Sequence, residues 1–305
     1  MRCRARPFFS LLACIVLIGA CMISFADNAA ENDNPRFYAL VIGNGKYPAS
    51  NMDPLPETAT DAAAMKTALE NMNPAWTVAE AYNIKGCEFV PAMEEAFRDA
   101  SEGDVCLFYY TGHGSYDADY YAGALKGTDV NTPGVNYTDA LLPLKELADT
   151  LDRLCPGEVI VILDSCGSGS AVWNGEPLEG MTTDGTDLEL LNSDETTRVG
   201  DLRRERFSVL ASCEHGDWSY PFPDDDPRTS CVFTYCLLQA LGCTPEGAYT
   251  GTMPADADED GMLTLKETAD CTRALHEEIR NTLPDDFPFQ IFQFWGEEDK
   301  ALFRR

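Results

Sequence analysis

The chain has 305 residues, 45% of them hydrophobic and 24% charged, enough to bury one large core. Its balance is acidic: 51 Asp and Glu against 22 Lys and Arg give a formal net charge of −29, which argues against a nucleic-acid partner. The same balance suits cationic substrates, calcium or a well-solvated surface.

The chain opens with Arg2, Arg4 and Arg6, an apolar run from Phe8 to Phe25, and the small-residue stretch Ser24-Phe25-Ala26. A basic start, an apolar stretch and such a cleavage site make residues 1–26 an export signal. The run is also long enough for a retained membrane anchor, and Ile18-Gly19-Ala20-Cys21 resembles a lipoprotein box, so release and anchoring both stay open. The expected location is extracytoplasmic, in the periplasm, at the cell surface or secreted, with membrane contact only through this segment. Cleavage would remove Cys3, Cys14 and Cys21 and leave nine of the 12 cysteines, an odd number that implies an unpaired thiol. Cys166 is the expected free thiol, and Cys106, inside an apolar run, is expected to be inert. Cys213, Cys231, Cys236 and Cys243 are close enough in sequence to pair, in a connectivity that stays open. No Cys-x-x-Cys spacing occurs, so a zinc site has little support.

A polar tether over 27–35 leads into a domain expected over 36–300. Tyr38 to Ile42 reads as a buried parallel strand ending at Gly43-Asn44-Gly45. Asp61 to Met72 reads as a helix with Ala62, Met65, Leu69 and Met72 on one face. Strands follow at Trp76 to Tyr82 and Val105 to Tyr110, with a helix near Val90 to Ala100 between them. Pro143 to Leu154 is helical, Val159 to Leu163 is a buried strand, and Ser168 to Arg206 is a long polar loop carrying Arg198, Arg203, Arg204 and Arg206. Phe207 to Ala211 is a strand and Cys231 to Leu241 a helix. Strands alternating with helices predict an α/β fold with a mostly parallel sheet covered on both faces.

Two of these strands end in a reactive residue. Thr111-Gly112-His113-Gly114 follows the first, and Asp164-Ser165-Cys166-Gly167-Ser168-Gly169 follows the second. In open parallel sheets, ligands bind outside the carboxyl ends of the strands, so both residues face one crevice. Flanking glycines allow sharp turns and close approach. An imidazole beside a thiol favours the thiolate that attacks an acyl carbon, and the backbone N–H groups of Gly114 and Cys166 are candidate oxyanion donors. The histidine lies about fifty residues before the cysteine, a spacing found in caspases.

These two segments resemble the metacaspase and bacterial caspase-like pattern. The resemblance extends through Tyr38 to Asn44, Thr60-Asp61-Ala62, Ser208 to Cys213 and Phe233-Thr234-Tyr235, and so over most of residues 36–296. Gly167 stands where the family usually has histidine, outside the dyad. The resemblance implies a three-layer αβα caspase-like fold and a cysteine-type endopeptidase that acts on proteins or peptides through a thioester. It also implies that Asp61 and Asp164 hold a P1 Arg or Lys; a carboxylate pair suits a guanidinium, although Asp61 could equally cap its helix. Arginines in the 168–206 loop make self-cleavage an expectation. Two rivals use the same residues: a catalytically silent extracellular binding module, opposed by the presence of both His113 and Cys166, and a Cys-His transpeptidase that needs an amine acceptor.

Further along, Asp256 to Glu267 has the twelve-residue EF-hand spacing. Side chains of Asp256, Asp258, Asp260 and Glu267, the Met262 carbonyl and Thr264 (through water) would ligate Ca2+, and Gly261 permits the turn. A helix follows from Leu265 to Ile279 and none precedes, so a single calcium loop is expected. The metal-free alternative is an acidic turn that caps the helix.

Overall fold

The computed structural model of the chain describes residues 34–48, 52–115, 123–173 and 200–305. The export segment over 1–26, residues 27–33 of the tether and Arg198 lie outside the described residues. Residues Asn34–Arg305 form one compact unit.

Continuous runs of apolar residues make the central strands because both of their faces are covered. Strand β1 spans Phe37–Asn44, helix α1 Glu57–Glu70 and β2 Thr77–Tyr82; α2 over Phe89–Ala96 then leads to β3, Val105–Gly112. Three short strands follow, β4 (Gly114–Ser115), β5 (Ala124–Lys126) and β6 (Leu141–Pro143), and they pair into a small antiparallel sheet. After α3 (Leu144–Leu154) come β7 (Glu158–Asp164), β8 (Phe207–Ala211) and α4 (Val232–Ala240). The chain closes through β9 (Met262–Thr264), α5 (Leu265–Arg280), β10 (Gln293–Trp295) and β11 (Ala301–Arg304). The main sheet runs β10-β8-β7-β3-β1-β2, parallel except for the β10 edge.

Alternation along each strand splits the core into two layers. Ala39 and Val41 of β1 face Met65 and Leu69 of α1 and Phe233 and Leu237 of α4. Leu40 and Ile42 face the other way, toward Phe89 and Met93 of α2 and Leu147 and Leu151 of α3. The result is the expected three-layer αβα arrangement with a mostly parallel sheet.

The structure differs from the sequence reading in several places. Helix α1 begins at Glu57, one turn before Asp61, so Asp61 lies inside the helix and does not start or cap it. Strand β11 extends beyond residue 300 and pairs with β9, so the fold continues to Arg304. The small β4-β5-β6 sheet was not expected, because strands of two or three residues are too short to show a period.

Candidate active site

The order of the sheet reverses between β1 and β3, and a crevice opens outside the carboxyl ends of such strands. Thr111 on β3 and Asp164 on β7 are paired in register. His113 and Cys166 each follow two residues later, so they emerge side by side from adjacent strand ends. Gly114 makes this approach possible: a Cβ there would lie 2.2 Å from the Cys166 carbonyl oxygen. Gly167 has φ +69, in the left-handed region that favours glycine. That conformation gives a physical reason for glycine at a position where the resembling family usually has histidine.

His113 is held from two sides. Its Nε2 meets the Asp53 carbonyl at 2.8 Å, and its ring packs edge-on against Tyr47 at 4.8 Å between centroids. The Tyr47 hydroxyl also accepts from the His113 N–H at 3.1 Å. Cys166 contacts the Ser219 carbonyl at 3.8 Å, and the neighbouring Gly167 N–H donates to the Asp217 carbonyl at 2.8 Å. Among the described residues, no hydrogen bond joins His113 to Cys166. Catalytic hydrogen bonds are often long or absent without substrate and tighten in the complex. Burial pushes the Cys166 thiol up, partly offset by the Ser219 backbone and the Lys126 charge. Burial pushes the His113 imidazole down, opposed by the Asp53 carbonyl and reinforced by Lys126.

The two carboxylates lie together beside this pair. Asp61 is fully buried and accepts from the Ser230 hydroxyl and, at 2.9 Å, from the Cys231 N–H. Asp164 accepts from the Ser219 hydroxyl at 2.7 Å and from the Thr234 hydroxyl at 2.6 Å and N–H at 3.1 Å. Burial pushes Asp61 up to about 8; Ser230 opposes the shift and the Asp164 charge adds to it. Burial also raises Asp164, against its bonds to Thr234 and Ser219. Chemically, this is a desolvated pair of acids next to a thiol, poised to gain from a cation.

Other expected residues are found as follows. Asp256, Asp258 and Asp260, in the loop before β9, bring carboxylate oxygens within 4.8 Å of one another. Their oxygens accept backbone N–H groups of Asp260, Gly261 and Met262, and Gly261 has φ +81. Glu267 Oε1 reaches back to the Ala257 N–H at 3.1 Å, while the Thr264 hydroxyl is engaged in capping α5 with Glu267. All nine cysteines of the described residues are unpaired, including Cys213, Cys231, Cys236 and Cys243.

Sequence reasoning missed the serine hydroxyls that satisfy the acids, the Asp53 carbonyl on His113, and Cys231 beside the carboxylates. Asp53, Ser219 and Ser230 are brought in by loops whose paths no periodicity reveals. Cys231 directly precedes the noted Phe233-Thr234-Tyr235 segment, so its position beside the site could have been inferred from that motif.

The chain was compared with known proteins. No curated protein matches. Caspase-1 from the insect Spodoptera frugiperda has a similar crystal structure, with TM-score 0.55 and 12% identity over 89% of this chain and 91% of that one. A protein of Geobacter sulfurreducens aligns with TM-score 0.49 and 20% identity over 87% of this chain and 95% of the other. The insect structure supports the fold alone. The sequence model of the caspase domain matches residues 36–273, more than half of the chain and all of the elements that position His113 and Cys166. The protein therefore belongs to the caspase-domain family of cysteine peptidases.

Proposed function

We propose that the chain is an exported cysteine endopeptidase in which Cys166 is the nucleophile and His113 the general base, cutting after Arg or Lys. The observation that carries this reading is the buried pair of Asp61 in α1 and Asp164 at the end of β7, with carboxylate oxygens within 4.8 Å of each other and Asp164 two residues before Cys166. The Asp53 carbonyl accepts the His113 Nε2–H and so leaves Nδ1 unprotonated, and Nδ1 takes the Cys166 proton. The thiolate attacks the scissile carbonyl carbon, and the Gly114 and Cys166 N–H groups hold the oxyanion. Collapse expels the amine, protonated by His113, and leaves a thioester that water then hydrolyses. A P1 guanidinium between Asp61 and Asp164 replaces hydroxyl donors with charge-assisted bonds. Asp or Glu at P1 is rejected by the same two acids.

Calcium and self-processing belong to this reading. Asp256, Asp258, Asp260 and Glu267, with the Met262 carbonyl, supply five of the oxygen donors that Ca2+ takes, and Thr264 is reached only through water because its hydroxyl caps the helix. Calcium binding would stiffen the β9–α5 junction. Arg203, Arg204 and Arg206 border the 174–199 segment and offer basic P1 positions for self-cleavage, but Arg204 and Arg206 are paired with Asp149 and Asp152 and Arg203 stacks over Trp295. An extracytoplasmic location rests on the basic and apolar character of residues 1–26.

A panel of peptides varied at P1, assayed with and without Ca2+ and with Cys166→Ala as control, tests the reading. Hydrolysis restricted to P1 Arg and Lys, absent in Cys166→Ala, is the expected result. A preference for P1 Asp overturns the pocket assignment, and product formation only with an added amine identifies a transpeptidase instead.

A further inference from the structure

The floor of the crevice carries a third ionisable group besides the two acids. Cys231 is the residue before α4, Asp61 lies one turn into α1, and Asp164 ends β7. Donor atoms of these three side chains lie within 4.8 Å of one another, and the side chains are 7%, 0% and 2% exposed. The Cys231 sulfur lies 3.8 Å from the Thr111 hydroxyl, and its thiol also interacts with the Asp61 carboxylate. Among the described residues no Lys or Arg pairs with either acid; Arg228, on the segment leading into α4, is paired with Asp226. Two acids and a thiol without a cationic partner are costly to bury in charged form. A divalent ion relieves that cost more fully than a single proton.

We propose that Asp61, Asp164 and Cys231 form a binding site for a thiophilic divalent cation, Zn2+ or Cd2+, at the floor of the crevice. Two carboxylate oxygens and one sulfur form a mixed donor set that suits these ions and disfavours Ca2+ and Mg2+, which take oxygen only. Zinc–oxygen bonds of about 2.1 Å and a zinc–sulfur bond of about 2.3 Å place ligand atoms roughly 3.3–3.6 Å apart. Reaching that spacing from the present one needs side-chain shifts on the order of 1 Å, with the Ser230 and Ser219 hydroxyls released from Asp61 and Asp164. On binding, the Cys231 thiol and the protonated Asp61 carboxyl each give a proton to solvent and a donor atom to the ion; no oxidation state changes. A fourth tetrahedral position would be left for water. No spacing motif foretells this site, because its ligands come from α1, β7 and the start of α4. An ion held there occupies the space assigned above to the P1 side chain, so it acts as an inhibitor. The assignment rests on the donor set and stands or falls separately from the P1 preference.

The test uses the full chain with Cys166→Ala, which removes the nucleophile as a competing ligand. Cadmium titration should produce a sulfur-to-metal charge-transfer band that saturates at one equivalent, and Zn2+ should abolish it by displacement. Adding Cys231→Ser should remove that band and weaken Zn2+ binding, measured by calorimetry, by about tenfold or more. Asp61→Asn, which keeps the thiol, should weaken Zn2+ to a similar degree and decides the matter if Cys231→Ser proves misfolded in a melting scan. Zinc affinity unchanged in Asp61→Asn, or unchanged in a folded Cys231→Ser, overturns the proposal and places the ion elsewhere. The peptide panel reads a different property: loss of the Arg preference leaves this binding result untouched.

Discussion

At the scale of single residues, the site is chemically quiet at rest. Burial raises the Cys166 thiol and lowers the His113 imidazole, so both are neutral near pH 7. Alkylation of Cys166 by iodoacetamide, followed through the mass of its peptide, should accelerate with pH around a midpoint above the ordinary thiol value of 9.0. A midpoint below that value means a preformed ion pair and overturns this account. Asp61 has the opposite consequence for stability. Its pKa rises from 3.8 unfolded to about 8 folded, first through desolvation. Between those values the folded state binds a proton that the unfolded state releases, so stability declines as pH climbs through the interval. Asp61→Asn should therefore raise the melting temperature at pH 8 and change it little at pH 4. The same variant should lower kcat/KM on P1 Arg peptides by about 30-fold or more, matching the roughly 2 kcal/mol or more lost when one partner of a buried charge pair is removed. A melting temperature that falls at pH 8 would show that the carboxylate stabilises the fold.

At the scale of elements, the acidic loop and its helix are joined by a reciprocal cap. The Thr264 hydroxyl accepts from the Glu267 N–H at 3.1 Å, and Glu267 Oε2 accepts from the Thr264 N–H at 2.9 Å. Thr264→Ala should cost about 1 kcal/mol without calcium, a fall of about 2–4 °C in melting temperature. An unchanged melting temperature in the metal-free protein would show that the cap is idle. The helices and main strands were legible because their apolar runs and 3.6-residue stripes are long. Val159 to Leu163 and Phe207 to Ala211 sit where periodicity puts them, and the dyad follows from strand ends and glycines. Helix α1 begins earlier than expected because Glu57 to Thr60 carries no apolar stripe to announce it, although Thr58 is buried against the loop after β1. Other features depend on long-range contacts. The hydroxyl caps on the acids join residues 55 and 169 positions apart, and strand β11 makes sense only once β9 is folded beside it.

At the scale of the whole molecule, the dominant property is charge. A formal −29 makes the folded chain repel itself, and salt should relieve this wherever charges are exposed. The Debye length shrinks from about 30 Å at 0.01 M to about 8 Å at 0.15 M, so most of the gain should come within that range. The melting temperature at pH 7.5 should rise with NaCl and then level off. Calcium must be separated from this screening, since any cation shields an acidic surface. A bound ion adds stability that depends on its concentration relative to Kd, about 2.7 kcal/mol at one hundred times Kd, whereas screening depends on ionic strength alone. CaCl2 and MgCl2 should therefore be compared with NaCl at matched ionic strength. The calcium loop predicts an extra rise of about 5 °C with CaCl2 at one hundred times Kd, and a smaller rise with MgCl2 because that ion gives up water reluctantly. Glu267→Gln should remove the extra rise and leave the NaCl response intact. That separation matters because Asp256, Asp258, Asp260 and Glu267 are four acids among 51, and only a response tied to them distinguishes a site from a field. Equal curves for all three salts reduce the loop to an acidic turn that caps α5.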